Sequence, residues 1–307
     1  MHPRTTRTDD FTIHNYGDIY YFPPKKLQTN LEEVIVFAEN TKRNIDVPTG
    51  SIWKTNTNRY NPDILKADVG CGITRFDLPT YNGENLQEDI TKILADQNIS
   101  IGRGNHFIDF TTYQPFQQGD VGTNAMFLHS DMNPQQTQPT TYNAAKQREQ
   151  NAANQRKETG SKLLQKLQLP HKETGDFPHN TVEQTGTGLL YRNGAINLHP
   201  NTNQSSEGIL AVSPGQGILR YGANINEPIW KNLHYSMQHG VGKHGSQKLY
   251  YQDWPTAQKG KKQTYHIDKP NPRLNQQFRS LNEFRNVFSD AVIELGIYKP
   301  ITVTRTD

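Results

Sequence analysis

Five positions, far apart in the chain, carry side chains of the kinds that bind divalent transition metals. Cys71, the single cysteine of the 307-residue sequence, stands between two glycines in "DVGCG", and Asp68 precedes it by three residues. His106 in "GRGNHF", His129 in "FLHS" and His179 in "PHN" follow. A thiolate and imidazoles suit Zn, Mn, Fe or Co better than Mg or Ca, and a carboxylate can ligate or bridge a second ion. These separations exceed those of a local finger, so the fold must assemble any shared site. The alternative is that most of these histidines are surface or structural residues.

A sixth position is His239, in "QHGVGKHGSQK" at residues 238–248. This stretch holds two histidines and three glycines and almost no apolar side chain. A surface loop does not need so much glycine beside imidazole, because each glycine carries a large conformational entropy cost on folding. His239 is therefore a candidate functional residue, and the alternative is an ordinary turn histidine.

Composition places broad limits on the function. The net charge is +3 and 33% of the residues are hydrophobic. This charge permits a polyanionic partner but is lower than that of a dedicated electrostatic nucleic-acid binder. No apolar run approaches the ~20 residues that a membrane-spanning helix needs, and the start of the chain lacks a secretory signal. One cysteine cannot form an internal disulfide. We expect a cytoplasmic monomer with no membrane contact.

The elements that must position these residues alternate without regular βαβ order. Strand patterns occur in "YGDIYYF", after the turn of "ADVGCGITRFDLP", in "NHFIDFTTYQ" and "NAMFLHS", and through much of the chain after residue 179. "LEEVIVFAEN" fits a strand or a helix, whereas "ENLQEDITKILADQN" and "LNEFRNVFSDAVIELG" have helical spacing. Residues 131–175 are nearly all polar with a helix-forming composition, which predicts a peripheral helical insertion or lid. The sequence predicts one α+β domain over residues 1–307, with mixed or antiparallel sheets.

The order of the motifs adds a resemblance to a known family. "KADVGCGI", "IGRGNHFIDF", "FLHS", "PHNTVEQ", "SPGQG" and "QHGVGKHGSQK" follow one another as do the signature blocks of RtcB-type RNA ligases. The resemblance covers the chain from about residue 66 to its C-terminus and is weak through 131–175. It implies an RtcB-like fold with sheets around a central metal–nucleotide cleft and helices at the periphery.

The resemblance also implies an activity. RtcB-type ligases join RNA ends that carry a 3′-phosphate or 2′,3′-cyclic phosphate to 5′-hydroxyl ends, with GTP, manganese and a histidine–GMP intermediate. His239 matches the histidine that attacks GTP. Cys71 matches the thiolate that bridges two Mn²⁺ ions, His129 and His179 match the other ligands of one ion, and Asp68 and His106 match those of the second. The implied substrates are RNA ends, as in tRNA halves or damaged RNA.

Further residues match the family's nucleotide contacts. Asn105 matches an asparagine that contacts phosphate, and Asp109 stands where the family often has a glutamate near the guanine. Phe278 aligns with an aromatic that packs on the base, and Arg305 with a terminal lysine that reaches the guanine. Surface or core packing explains these last three equally well. Lys243 and Ser246 belong to the block of the nucleophile.

Departures from the pattern keep other functions open. Asn133 stands where an arginine holds RNA phosphate, Lys243 replaces a second arginine, and Gln247 replaces a third. Lysine keeps the charge but lacks the bidentate fork that matches phosphate. The alternatives are therefore a diverged guanylyltransferase or an RNA-end-binding protein that no longer completes ligation. A metal-dependent hydrolase is more remote. The basic residues of 131–175, among them Arg148 and Arg156, are candidates either for phosphate contact or for a solvated surface.

Overall fold

The fold is α+β and consists mostly of sheet. The structure, a computed structural model, describes residues 3–37, 39, 45–79, 85–97, 101, 106–133, 135, 137–198, 207–244, 256–259, 262–267, 272–288 and 291–306. The helices are α1 Lys25–Gln28, α2 Pro62–Leu65, α3 Leu86–Asp96, α4 Tyr142–Lys166, α5 Pro228–Asn232, α6 Pro272–Asn275 and α7 Leu281–Phe288. No helix in these ranges is long and apolar enough to cross a membrane.

The strands form three sheets. In chain order they are β1 Arg4–Arg7, β2 Thr12–Asn15, β3 Leu31–Val36, β4 Ser51–Thr55, β5 Gly72–Leu78, β6 Phe107–Pro115, β7 Asn124–Ser130, β8 Lys172–Pro178, β9 Asn180–Gln184, β10 Leu189–Asn193, β11 Ala195–Asn197, β12 Glu207–Ser213, β13 Gly217–Ala223, β14 Ser236–Gln238, β15 Thr256–Lys259, β16 Lys262–His266 and β17 Val292–Thr306. The six-stranded sheet has the order β1-β2-β3-β4-β10-β9, and β11 pairs with β14. The nine-stranded sheet has the order β12-β13-β17-β6-β7-β5-β8, and β16 joins β15 to β17.

Alternation along the strands explains how the sheets are layered. In β7, Phe127 belongs to a central core that also contains residues of the six-stranded sheet, whereas Met126 and Leu128 belong to a core under helices α3 and α4. In β3, Ile35 likewise faces the central core, and Val34 faces a third core with α1 and α2. Since successive strand residues point to opposite faces, each sheet is covered on both sides. The central core therefore lies between the two larger sheets.

Helix α4 packs on β5, β7 and β8 of the nine-stranded sheet and on β9 of the six-stranded sheet. Thr141 caps its N-terminus, with its hydroxyl accepting from the backbone N–H of Ala144 at 3.2 Å. Its buried residues are Ala145, Ala152, Arg156, Gly160, Leu163 and Leu164. The polar composition of the segment comes from the remaining faces. The helix is thus a packed layer of the fold, although its sequence has the composition of an exposed insertion.

The strand pattern at residues 16–22 gave a wrong prediction. β2 ends at Asn15, just before this stretch, and residues 16–22 form no strand. The Asn15 side chain accepts from the backbone of Gly17 and donates to the carbonyl of Ile19, and these bonds close the turn. Local side-chain hydrogen bonds of this kind compete with strand pairing. "LEEVIV" is a strand, and the C-terminal helix ends at Phe288, before β17.

Candidate metal and nucleotide site

The candidate ligands lie where strands of the nine-stranded sheet end together. Cys71 precedes β5 and His106 precedes β6, while His129 lies one residue from the end of β7. The register pairs Gly72 with Ser130 and Phe107 with His129, so these ends share one edge. His179 is the single residue between β8 of the nine-stranded sheet and β9 of the six-stranded sheet. The site therefore sits where the chain crosses from one sheet to the other.

The side chains of these residues converge on a small volume. The Sγ atom of Cys71 lies 3.5 Å from Nε2 of His106 and 3.3 Å from Nε2 of His129. The Nε2 atoms of His129 and His179 are 3.2 Å apart. These four residues, called the ligand side below, are all buried. The fold thus brings together four residues that are spread from position 71 to position 179 of the sequence.

His239 joins the cluster from the opposite direction, directly after β14. Its ring stacks on that of His179 with centroids 4.1 Å apart. Its Nδ1 atom lies 3.0 Å from the carbonyl oxygen of Gly194 and 3.2 Å from a carboxylate oxygen of Glu39. Both partners are acceptors, so Nδ1 carries the proton, and in the neutral imidazole Nε2 keeps the lone pair. Glu39, Gly194 and His239 are called the Glu39 side below.

The ligand atoms form two groups that share one histidine. Cys71, His106 and His129 place their donor atoms within 4.8 Å of one another, and so do His129, His179 and His239. The residue common to both groups is His129, whereas the resemblance gives the bridging role to Cys71. The carboxylate of Asp68 belongs to neither group.

Electrostatics separates the histidines of the cluster. Burial lowers the pKa of His106 to about 4. Burial and then the neighbouring imidazoles hold the pKa values of His129 and His179 well below the usual 6.5. Burial also acts on His239, but the charge and hydrogen bond of Glu39 outweigh it and raise the pKa of His239. The three histidines of the ligand side are therefore neutral at pH 7, as metal ligation requires of imidazoles.

Two carboxylates flank the cluster on the side of Cys71. Asp68 is solvent-exposed, and Asp131 is buried with one oxygen 4.0 Å from Nδ1 of His106. Partial desolvation and then mutual repulsion with Asp131 raise the pKa of Asp68. Burial and then the charge of Asp131 raise the pKa of the Cys71 thiol. Burial raises the pKa of Asp131 as well, and the charges of Arg148 and Arg156 act on it in the opposite direction.

The residues fit a bound transition-metal ion. The Nε2 atoms of His129 and His179 and the sulfur of Cys71 converge at distances of 3.2–3.3 Å. The Nδ1 atoms of both histidines are buried and have no hydrogen-bond partner among the described residues. A divalent cation would satisfy the converging lone pairs, and the set of imidazoles, thiolate and nearby carboxylates suits Mn, Fe, Co or Zn.

A buried ion pair lies beside the ligand side on the same face of the sheet. Phe107 is flanked in register by His129 on β7 and by Arg305 on β17. The Arg305 guanidinium lies 4.4 Å from the centroid of the Phe107 ring and 3.5 Å from a carboxylate oxygen of Asp109. Burial raises the pKa of Asp109 to about 6, against the opposing charge of Arg305. Two of the residues expected near a guanine are therefore adjacent to each other and next to the cluster.

The other expected nucleotide contacts have different outcomes. Lys243 and Phe278 form an isolated bridge with each other, beside the loop that carries His239. Phe278 is half-buried against the central core. Asn105 and Ser246 lie outside the described residues.

Sequence reasoning missed three residues of the site. Glu39 lies in a stretch without a motif, and Asp131 lies in the block after His129 without having been singled out; only the fold brings them to His239 and His106. Arg156 was a candidate either for phosphate contact or for a solvated surface, and both interpretations are wrong, because its side chain is completely buried. It donates to the carbonyls of Gly70 and Ser130, next to two ligands. A lone arginine on the buried stripe of an otherwise polar helix is the signal that could have found it.

Comparison with known proteins leaves the family unassigned. No protein-family model matches the chain, and no curated protein matches it significantly.

Proposed function

We propose that this protein is a GTP- and Mn²⁺-dependent RNA ligase in which His239 carries GMP. The observation that supports this most strongly is the convergence of a half-buried His239 with the buried Cys71, His106, His129 and His179 in one cluster. Each of these residues comes from a separate block of the motif series. A structural explanation for any single residue does not account for all five meeting at one point.

The Glu39 side has the arrangement of an activated nucleophile. Glu39 and the Gly194 carbonyl hold the Nδ1–H of His239, so the Nε2 lone pair is left for attack on the α-phosphate of GTP. The new N–P bond replaces the bond between the α- and β-phosphates, and diphosphate leaves. The imidazole gains positive charge as this happens, and the adjacent Glu39 carboxylate stabilises that charge.

The ligand side supplies the metal site of the proposal. Cys71, His106, His129 and His179 would hold the ions, with Asp68 and Asp131 as nearby oxygen donors. Bound divalent ions neutralise phosphate charge and orient the reacting groups. Two Mn²⁺ ions follow from the resemblance, and the carboxylates are the donors that suit Mn²⁺ best.

The Asp109–Arg305 pair is the proposed guanine contact. A carboxylate accepts from the N1–H and exocyclic amine on the Watson–Crick edge of guanine, and adenine cannot offer the same two donors. Phe107 on β6 is paired with Arg305 on β17 on one side and with His129 on β7 on the other. This arrangement fits a nucleotide that reaches from the base site to the metal. The proposal extends to RNA 3′-phosphate or 2′,3′-cyclic phosphate ends with 5′-hydroxyl acceptors, an RtcB-like fold, and a cytoplasmic monomer.

The test is to incubate the protein with Mn²⁺ and GTP labelled in its α-phosphate, and then to denature it. Wild type should retain label in an acid-labile, alkali-stable bond, and His239→Ala should not. His171→Ala is the matched control, because His171 contacts Leu169 and Phe76 rather than the cluster. Labelled His239→Ala protein would overturn the assignment of the nucleophile. An adduct without subsequent joining of RNA ends would favour the guanylyltransferase, and RNA-end binding without an adduct would favour the binding protein.

A second candidate function follows from the triad of His129, His179 and His239. In this alternative His239 is a metal ligand, and Glu39 orients it as carboxylates orient ligating histidines in metal-dependent hydrolases. Metal content separates the two candidates. If His239→Ala loses a metal ion that wild type retains, His239 is a ligand. If the metal content is unchanged and the adduct is lost, His239 is the nucleophile.

A further inference from the structure

Arg156 is a fully buried cation in the middle of helix α4. Asp176 on β8 receives hydrogen bonds from its Nε and Nη2 atoms at 3.1 and 2.9 Å. Its Nη1 atom donates to two backbone carbonyls, that of Gly70 and, at 2.8 Å, that of Ser130. Nε also lies 3.2 Å from the hydroxyl of Thr74. Asp176 thus fixes the guanidinium plane, and Nη1 is left for the two carbonyls.

The two carbonyls belong to the residues next to two metal-ligand candidates. Gly70 precedes Cys71, and Ser130 follows His129. One nitrogen atom of Arg156 therefore ties together the chain segments whose side chains face each other at 3.3 Å.

The glycines on either side of Cys71 make this contact possible. A Cβ atom on Gly72 would lie 2.6 Å from Nη2 of Arg156, and one on Gly70 would lie 2.9 Å from the Cβ of Ala152. Gly70 also has a φ of +85°, which other residues rarely adopt. The two glycines of "GCG" thus allow α4 to pack closely against this loop, in addition to flanking the candidate ligand Cys71.

We infer that Arg156 is a positioning residue of the metal centre and that α4 is part of that centre. Arg156 fixes the separation of Cys71 and His129 and places a permanent positive charge beside the thiolate that metal binding creates. The inference rests on the metal site of the proposed function, but it does not depend on GTP or RNA. Lysine cannot replace Arg156, because its single ammonium cannot reach both carbonyls and Asp176 in the geometry of the guanidinium fork.

The test measures Co²⁺ binding to metal-free protein, with Co²⁺ as a probe that absorbs light when a thiolate coordinates it. Arg156→Lys should bind Co²⁺ about 10–100-fold more weakly than wild type, the usual cost of losing an outer-shell contact. Its thiolate-to-cobalt absorption per bound ion should also change. Asp176→Asn keeps the arginine but loosens its orientation, and should shift affinity in the same direction by a smaller factor.

Arg75→Lys is the matched control for a loss of stability alone. Arg75 is also a buried arginine of this sheet, on β5, but it bonds Thr174, Glu207 and Tyr298 instead of a ligand-bearing loop. Both lysine variants should melt at lower temperature, yet Arg75→Lys should bind Co²⁺ with the affinity and spectrum of wild type.

The outcomes separate this inference from the proposed function. Unchanged Co²⁺ affinity and spectrum in Arg156→Lys and Asp176→Asn would overturn the inference even if wild type forms the GMP adduct. Equal loss of affinity in Arg75→Lys would overturn it as well, since general destabilisation would then suffice. A specific effect of Arg156→Lys in a protein that forms no adduct would support the inference and contradict the ligase. If wild type binds no Co²⁺, both fail.

Discussion

The ligand side and the Glu39 side contain the same functional group in opposite electrostatic states. His129 and His179 are buried with no carboxylate partner among the residues that the structure describes, and their pKa values are depressed. His239 stacks on His179 at 4.1 Å, yet its pKa is raised, because Glu39 contacts Nδ1. The Glu39 carboxylate, together with the Gly194 carbonyl, accounts for the difference, because burial lowers the pKa in all three histidines. Two acceptors at Nδ1 therefore give one imidazole of the cluster a chemistry that its neighbours lack.

The largest expected effect comes from removing the soft donor of the ligand side. Cys71→Ser keeps the size of the side chain but replaces the thiol, which lies within 3.5 Å of both His106 and His129. We expect loss of thiolate-to-cobalt absorption and of the GMP adduct, because an alcohol does not ionise readily at a metal in place of a thiol. Metal content and adduct formation are measured on protein whose thermal melt shows that it is folded. Full metal content and activity in Cys71→Ser would remove Cys71 from the metal site.

The second prediction uses the opposite pKa shifts directly. For His106, His129 and His179 the unfolded chain takes up protons near pH 6.5, whereas folded His106 does so only near pH 4 and the other two imidazoles do so well below 6.5. The free energy of unfolding of the metal-free protein should therefore fall as pH drops through this window. Each imidazole contributes up to about 1.4 kcal/mol per pH unit.

His239 contributes to the pH dependence of the free energy of unfolding with the opposite sign. Its folded pKa lies above 6.5, so the stability that its protonation contributes is complete below that pH and is lost as pH rises through the folded pKa. Urea unfolding of metal-free protein over a pH series measures the sum. Glu39→Gln should steepen the loss of stability in acid, because His239 then resembles its neighbours. An unfolding free energy that does not change between pH 6.5 and 4 would contradict the account of the ligand side.

Sequence patterns predicted much of this arrangement but not the difference between its two sides. The ordered blocks gave the ligand candidates, and the spacing of apolar residues gave strands β6 and β7 and helix α3. Those signals are local and repeat along one element. Glu39 lies 200 positions from His239, and no periodicity links a turn residue after β3 to a residue after β14. Contacts between elements depend on topology, which the sequence specified only as α+β.

Arg156 shows that sequence patterns also fail to predict contacts between elements in the case of a helix. Composition describes α4 well, because most of its surface is polar, but one buried arginine does not alter the composition. Its function depends on which loop lies beneath the helix. The absence of arginines at the positions where the resemblance would place phosphate contacts therefore says nothing about arginines buried under the site. The unpredicted contacts of Glu39, Asp131 and Arg156 are all side-chain contacts between elements distant in the chain.

The third prediction removes the charge that distinguishes the two sides. Glu39→Gln keeps the shape of the side chain but not the carboxylate that holds the Nδ1 proton of His239. Adduct formation should slow by about 10–100-fold with metal content unchanged, as is usual for loss of an orienting carboxylate. Glu33→Gln is the matched control, because Glu33 also binds histidines, at His14 and His234, but lies outside the cluster. Equal rates in both variants would mean that Glu39 does not orient the nucleophile.

The smallest expected effect comes from a methyl group against the backbone of Glu39. Gly242 has a φ of +77°, and a Cβ atom there would lie 2.3 Å from the carbonyl oxygen of Glu39. Gly119 has a comparable φ of +94° with nothing within 4 Å, so Gly119→Ala isolates the backbone strain. Each alanine should lower the free energy of unfolding by about 1–2 kcal/mol, measured by urea denaturation.

Only Gly242→Ala should also slow adduct formation, since it alone must displace the residue that orients His239. Co²⁺ affinity should stay at the wild-type value in both variants, because neither glycine touches a residue of the ligand side. A loss of Co²⁺ affinity in Gly242→Ala would mean that the two sides move together. The ligand side and the Glu39 side would then not be structurally independent of each other, despite their electrostatic difference. His239 would have to be treated as part of the metal site.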